Sequence, residues 1–326
     1  DGTVDAGNEG LRPPQVGALH AIGAHWSLYH QAATVVMPTG TGKTETMLSA
    51  LAAYVRGPLV VVVPSDVLRS QTARKFLTFG LLRQLKVLAP DTPNPIVGVV
   101  TKRPRTLEDL EIFERCNVIV GTMSSIGEGT ASPLTSEIAL RIDTLFVDEA
   151  HHVGATGWGA FRESFSDRRV LQFTATPFRR DGKLVDGVVI YNYPLRTAQK
   201  DRYFKKIAFE PIYEINPEDA DRAIAETAIA RLRENVRDGL NHLIMARCMS
   251  INRATTVQKI YAELAPDLKP MLVHSEVGDT AARIAELRSG ESRIVVCVNM
   301  LGEGFDLPEL KIAAIHDLHK SLAILL

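Results

Sequence analysis

TVVMPTGTGKTETMLSALAAYV, residues 34–55, decides the first part of the fold. A β-branched run (34–37) leads into a glycine-rich turn, and the turn leads into an alanine- and leucine-rich stretch that reads as a helix over 43–55. Within the turn, PTGTGKT (38–44) fits the phosphate-loop pattern G-x4-G-K-S/T, except that Met37 stands at the first glycine position. Gly40 and Gly42, with Thr39 and Thr41 between and beside them, let the backbone wrap so that N–H groups point inward at an anion. The helix that starts near Gly42 offers free N–H groups and its positive dipole end to the same anion. Lys43 supplies a point charge for β- and γ-phosphates, and Thr44 supplies a hydroxyl ligand for Mg2+.

Outward from this stretch, the first 200 residues alternate short apolar runs with helix-like segments. The runs are LVVVV (59–63), PIVGVV (95–100), NVIVGT (117–122), TLFVDEA (144–150) and VLQFTAT (170–176). They are continuous rather than alternating, as strands buried on both faces are. Helices between them, such as 66–79, predict an α/β fold with a mostly parallel sheet. A mixed stretch over 191–217, with Pro194, Pro211 and Pro217, reads as a linker plus an edge strand. A second α/β series follows. It has a helix over 218–238 ending on Gly239, and strand-like runs at 242–246, 270–275, 293–298 and 311–317.

TLFVDEAHH (144–152) is a buried strand that ends abruptly in Asp148, Glu149 and two histidines. Carboxylates at the C-terminal end of a parallel strand face the crevice where ligands bind. Asp148 suits Mg2+ coordination through water, and Glu149 suits positioning an attacking water as base, the division of labour that phosphoryl transfer requires. A solvated strand end that caps the next helix is the bland alternative. It loses ground about 100 residues after a phosphate loop.

Composition excludes other classes. The 326 residues carry 37 Lys+Arg against 38 Asp+Glu, a net charge of −1, so the chain is no polycationic tail protein. A local basic groove stays possible on a neutral total. Cys116, Cys248 and Cys297 are scattered and odd in number, giving neither a disulfide framework nor a zinc spacing and suiting a reducing cytoplasm. No run approaches the 18 or so apolar residues of a membrane span. The chain begins without Met and stops at the apolar run SLAILL (321–326), so it is expected to be a fragment.

MPTGTGKT (37–44) together with DEAH (148–151) resembles the superfamily 2 DEAD/DEAH-box helicases and translocases. The rest of the chain matches in that family's order. LRPPQ (11–15) resembles the adenine-reading Gln motif, VVVVPSDVLRSQ (60–71) motif Ia, VGT (120–122) motif Ib and FTATPFRRDG (173–182) motif III. IMARCMSINRA (244–254) sits where motif IV belongs, and CVNMLGEGFDLP (297–308) resembles motif V. TATPFRRDG, YPLRTAQKDRYF (193–204) and MLGEGFDLP lean toward the motor subunits of type I and III restriction enzymes and related repair helicases.

The resemblance implies two tandem RecA-like domains: 1–195 as the first, 196–217 as linker or edge segment, and 218–326 as a partial second. It implies an ATP- and Mg2+-dependent motor on nucleic acid, DNA favoured over RNA, in a cytoplasmic setting with no membrane. Other subunits of a larger restriction or antiviral complex are implied partners. Gln15 would bind adenine; Gly304 and Asp306 of motif V would approach the nucleotide and its ribose. His151, Thr174 and Thr176 would couple the ATP site to the nucleic-acid path, which Ser65, Thr122, Arg247 and Ser275 would contact at phosphates and sugars. The basic clusters TKRPR (101–105) and FRRDGK (178–183) would add to that path or be solvated loops. Motif VI, with its arginine fingers, does not follow Gly304 and is expected beyond Leu326. Its absence keeps open a second reading, an ATP-gated binding module with little turnover.

Overall fold

The valine-rich runs of the sheet interior become strands because their side chains are apolar on both faces and these strands are covered from both sides. Leu59–Val63 (β2), Val118–Thr122 (β4) and Thr144–Val147 (β5) are buried along their whole length. The computed structural model describes residues 9–126, 133–152, 161, 163–179, 182–204, 207–274, 280–298 and 307–317. With Ala33–Val36 (β1), Val97–Val100 (β3), Arg169–Thr174 (β6) and Val188–Asn192 (β7), these strands form a seven-stranded sheet in the order β3-β4-β2-β5-β6-β1-β7. Every described pairing in it is parallel.

Three helices set the entry and exit of the key strands. Pro13–Leu28 (α1) starts on two prolines, whose fixed φ and missing N–H suit a first helical turn. Its start is closed by Gln15 Oε1, which accepts from the Arg12 N–H at 2.7 Å. Lys43–Tyr54 (α2) follows β1 directly, and Asp66–Thr78 (α3) is N-capped by Ser65, whose Oγ accepts from Leu68 N–H. The core on one face of the sheet holds Trp26, Phe146 and Phe173 in ring contact. The Arg169 guanidinium lies 5.4 Å from the Trp26 ring centroid. The edge strand expected somewhere in 191–217 is β7, which begins at Val188. Its half-open burial hides it from a reading that looks for continuous apolar runs.

Shorter helices, Glu111–Arg115 (α4), Met123–Ile126 (α5), Pro133–Arg141 (α6) and Leu195–Lys200 (α7), also belong to this part of the chain. Contacts group Gly2–Lys206 as one compact unit and Ile207–Leu326 as another.

The second unit is built on Leu243–Cys248 (β8), Met271–Val273 (β9), Ile294–Val298 (β10) and Leu310–Ile315 (β11), paired in parallel in the order β11-β8-β10-β9. Pro217–Arg237 (α8), Ile251–Leu264 (α9) and Thr280–Ser289 (α10) accompany it. Gly239, at φ 79°, ends α8 in the left-handed conformation that glycine tolerates.

A polar cluster ties four of these elements together. Asp221 of α8 takes two hydrogen bonds from the Arg253 guanidinium of α9, at 2.6 and 3.0 Å. It also bonds His316 Nδ1 at 3.0 Å, and His316 Nε2 meets the Tyr261 hydroxyl at 3.1 Å. Arg253 reaches on to Asp317, which accepts the Met249 N–H at the end of β8. Burial holds the His316 pKa below its ordinary value despite the Asp221 carboxylate. Burial alone would raise Asp221, but the bonds from Arg253 and His316 outweigh it and hold the carboxyl low.

Both shifts have the same sign for stability. Below the unfolded histidine value of about 6.5, an unfolded chain takes a proton that folded His316 resists, so this contribution is present above that pH and is lost as pH falls. A His316→Gln variant is therefore expected to lose less stability than the parent between pH 7 and pH 5. Denaturant midpoints across that range test it, and identical pH slopes would refute the assignment.

Candidate functional site

The strand order assembles the site. β6 lies between β5 and β1, so the segments that leave the C-terminal ends of these three neighbours come together. Val36 is in register with Thr174, and the Met37 N–H donates to the Thr174 carbonyl at 2.9 Å. From β1 comes the phosphate loop, from β5 the acidic box, and from β6 the Thr174–Thr176 segment.

The loop adopts the backbone that its glycines permit. Gly40 and Gly42 have φ of 87° and 97°, and a Cβ on Gly42 would fall 2.0 Å from Gln15 Nε2. Thr41 is buried and its hydroxyl donates to the Pro38 carbonyl at 2.6 Å, closing the turn. Thr39 and Gly40 form the exposed outer part, and Thr44 is half-buried in the first turn of α2. Met37, standing in the first glycine position, is fully buried in the core. That position points into the protein here, so a large apolar side chain is accommodated.

Lys43 reaches across to the acidic box. Its Nζ donates to Glu149 Oε1 at 2.5 Å, and both side chains are 8% exposed. The second oxygen, Glu149 Oε2, is buried without a hydrogen-bond partner, with His151 Nδ1 3.6 Å away. Glu149 holds φ 49°, a left-handed backbone that a glutamate rarely adopts, and its N–H donates to Asp148 Oδ1. Burial, and then the adjacent Glu149 charge, push the Asp148 pKa up to about 6, with Lys43 opposing. Two buried carboxylates against one buried ammonium leave a formal deficit of one positive charge.

That deficit, the orphaned Glu149 oxygen and the hard oxygen donors of Asp148 and Thr44 fit a divalent cation of the Mg2+ type. Among the described residues no group of three or more His, Cys, Asp or Glu forms a self-contained metal cage. An ion here would need ligands from elsewhere, as one bridging to phosphates does.

His151 links this box to β6. Its Nδ1 lies 2.9 Å from Thr174 Oγ1, and that hydroxyl donates its single proton to the Thr176 carbonyl at 2.7 Å. His151 Nδ1 must then carry the proton and donate to Thr174. The Thr176 N–H also donates to Thr174 Oγ1 at 3.3 Å, so this hydroxyl is fully used. His151, Thr174 and Thr176 thus form one continuous chain of hydrogen bonds leading away from Glu149.

Gln15 also arrives at the loop, in an arrangement that composition could not foretell. Its Nε2 donates to the Gly42 carbonyl at 3.3 Å while its Oε1 closes the start of α1. The carboxamide therefore braces the loop from behind. Two neighbours of the loop escaped the sequence reading: Arg12, whose guanidinium lies 5.6 Å from the Tyr203 ring centroid, and Phe204, which packs beside Gly40. Their signals were LRPPQ itself and the DRYF end of YPLRTAQKDRYF.

Ser65 and Thr122 lie on the C-terminal rim of the same sheet, after β2 and at the end of β4. Thr122 Oγ1 sits 3.0 Å from Ser124 Oγ, and the Thr122 N–H donates to Ser125 Oγ. Arg247 is a half-buried residue of β8 in the other unit. Ser275, Gly304 and Asp306 lie outside the described residues.

A phosphate loop after β1 and an Asp-Glu-Ala-His box after β5, on parallel α/β sheets, define a superfamily 2 helicase-like protein. More narrowly, the chain belongs to the family described as type III restriction enzyme, res subunit, whose model matches residues 8–179. An uncharacterized protein of Mycobacterium leprae is 27% identical over 341 residues, covering 85% of this chain and 52% of that protein. The DNA 3'-5' translocase XPB2 of Sulfurisphaera tokodaii is 21% identical, covering 86% of this chain and 70% of its own length. A fragment of an HsdR subunit of a type I restriction enzyme from Vibrio vulnificus shares the fold. Its TM-score is 0.62 at 16% identity, over 96% of this chain and 59% of that one. The chain thus spans about half the length of the Mycobacterium leprae protein. No helix among the described residues is long and apolar enough to cross a membrane.

Proposed function

We propose that this chain is the ATP-hydrolysing core of a nucleic-acid translocase or helicase. The observation that carries the reading is the buried Lys43–Glu149 pair beside Asp148, with His151 leading from it to Thr174. A γ-phosphate entering the loop competes with Glu149 for the Lys43 ammonium. Lys43 then turns to the phosphate, and the freed Glu149 carboxylate becomes available to orient water and take its proton. Thr44 and Asp148 would hold Mg2+, which when bound supplies positive charge at the phosphate oxygens. The change of partner at Glu149 alters what His151 faces, and the hydrogen bonds through Thr174 and Thr176 carry that change along the rim of the sheet.

The relatives support the substrate class. One is named a DNA translocase and another is a restriction-enzyme subunit, so DNA is favoured over RNA and other subunits are plausible partners. The test is Mg2+-dependent ATP hydrolysis by the full-length protein, measured with single-stranded DNA, duplex DNA and RNA in parallel. Stimulation by DNA is expected. Tight ATP binding without turnover on any of the three would replace the motor with an ATP-gated binding module.

A further inference from the structure

We propose that Lys102, Arg103 and Arg105 form a phosphate-backbone clamp at the β3 edge of the first sheet, lengthening the nucleic-acid track beyond Ser65 and Thr122. The proposal rests on the nucleic-acid reading above and adds residues to it. β3 is the outermost strand on that side, and the three cations follow its C-terminal end. All strands run parallel, so this end lies on the same rim as the ends of β4 and β2.

The loop is built to present charge. Pro104 is buried while Lys102, Arg103 and Arg105 around it are exposed, so the proline anchors the segment and the cations stand outward. Asp109 Oδ2 accepts the N–H groups of Arg105 and Thr106, at 2.8 and 3.0 Å, which fixes the far side of the turn. Among the described residues none of the three cations makes an ion pair. The nearest compensation is Asp109, which the Arg105 charge helps to hold below its usual pKa after the two backbone bonds. A cationic loop this poorly neutralised suits a polyanion.

Spacing favours a phosphodiester strand over an isolated anion. β3 stands two strand spacings from β2, roughly 10 Å at ~4.8 Å each. A nucleic-acid strand advances about 3.4 Å per residue, so the loop falls about three nucleotides along from the end of β2. It lies five spacings from β1, about 24 Å, too far to touch nucleotide at the phosphate loop.

The experiment is salt-dependent binding of labelled single-stranded and duplex oligonucleotides to the full chain and to a Lys102→Ala/Arg103→Ala/Arg105→Ala variant. If each cation meets one phosphate, the slope of log affinity against log salt becomes shallower by about 2 on a single strand and nearly 3 on a duplex, from ~0.7 and ~0.9 per contact. ATP affinity and melting temperature stay unchanged. An Arg56→Ala/Arg115→Ala control removes cations that precede β2 and β4 on the opposite rim, and its slope is expected to stay that of the parent. Parent-like slopes in the triple variant, or equally shallow slopes in the control, would overturn the clamp alone. Failure of the parent chain to bind either oligonucleotide would overturn the motor reading and the clamp with it.

Discussion

Replacing Lys43 by Ala is expected to abolish the proposed nucleic-acid-stimulated ATP hydrolysis and to destabilise the first unit in the same stroke. The activity loss follows from removing the ammonium that the phosphate loop itself supplies. Donors that stabilise developing charge in dry sites are worth roughly 10²–10³ in rate. The stability loss follows from the geometry of the pair. Glu149 is as buried as Lys43, and without the ammonium its Oε1 is orphaned beside an Oε2 that already has no partner. Breaking a buried ion pair from one side costs about 3–5 kcal/mol, because an uncompensated charge is left behind. Denaturant melts and steady-state hydrolysis on the same preparation separate the two effects. A Lys43→Ala/Glu149→Gln double variant is expected to regain stability without regaining turnover. Surviving hydrolysis in Lys43→Ala would sink the mechanism.

Much of this site was legible before any coordinates. PTGTGKT and DEAH together contain side chains whose chemistry suits a phosphate, and the valine runs around them have few alternatives to buried parallel strands. What the sequence could not show was adjacency. That β6 comes between β5 and β1 depends on crossover connections, and no local pattern encodes it. Only that order puts His151 within reach of Thr174. The same gap explains Gln15, whose carboxamide is directed by the Gly42 carbonyl and the Arg12 N–H, groups every residue possesses. Ser65 and Thr122 show the converse. Their hydroxyls serve the local turns that close β2 and β4, so their placement on the rim is fixed by capping. The left-handed backbone of Glu149 was invisible as well, since a glutamate gives no signal for positive φ.

That backbone makes Glu149→Gln the most discriminating substitution at the site. Gln keeps the shape and an oxygen that accepts from Lys43 Nζ, so the pair survives as a charged-to-neutral hydrogen bond and folding is little disturbed. What is lost is the carboxylate's ability to take a proton from water. General-base catalysis contributes about 10²–10⁴ in rate, and turnover is expected to fall by that amount while ATP binding persists. ATP should accumulate on the protein, which single-turnover quenching and filter binding would register directly. Glu149→Gly changes backbone strain and side chain together. Glycine adopts φ 49° without strain, so this variant relieves the backbone while removing base and Lys43 partner together. Glu149→Gly is expected to be as inactive as Glu149→Gln, less stable because the buried Lys43 ammonium loses its partner, and less selective for ATP because Lys43 is then free to pair with any anion that enters the loop. Full turnover in Glu149→Gln would mean that water is oriented by another group and that the acidic box serves the metal alone.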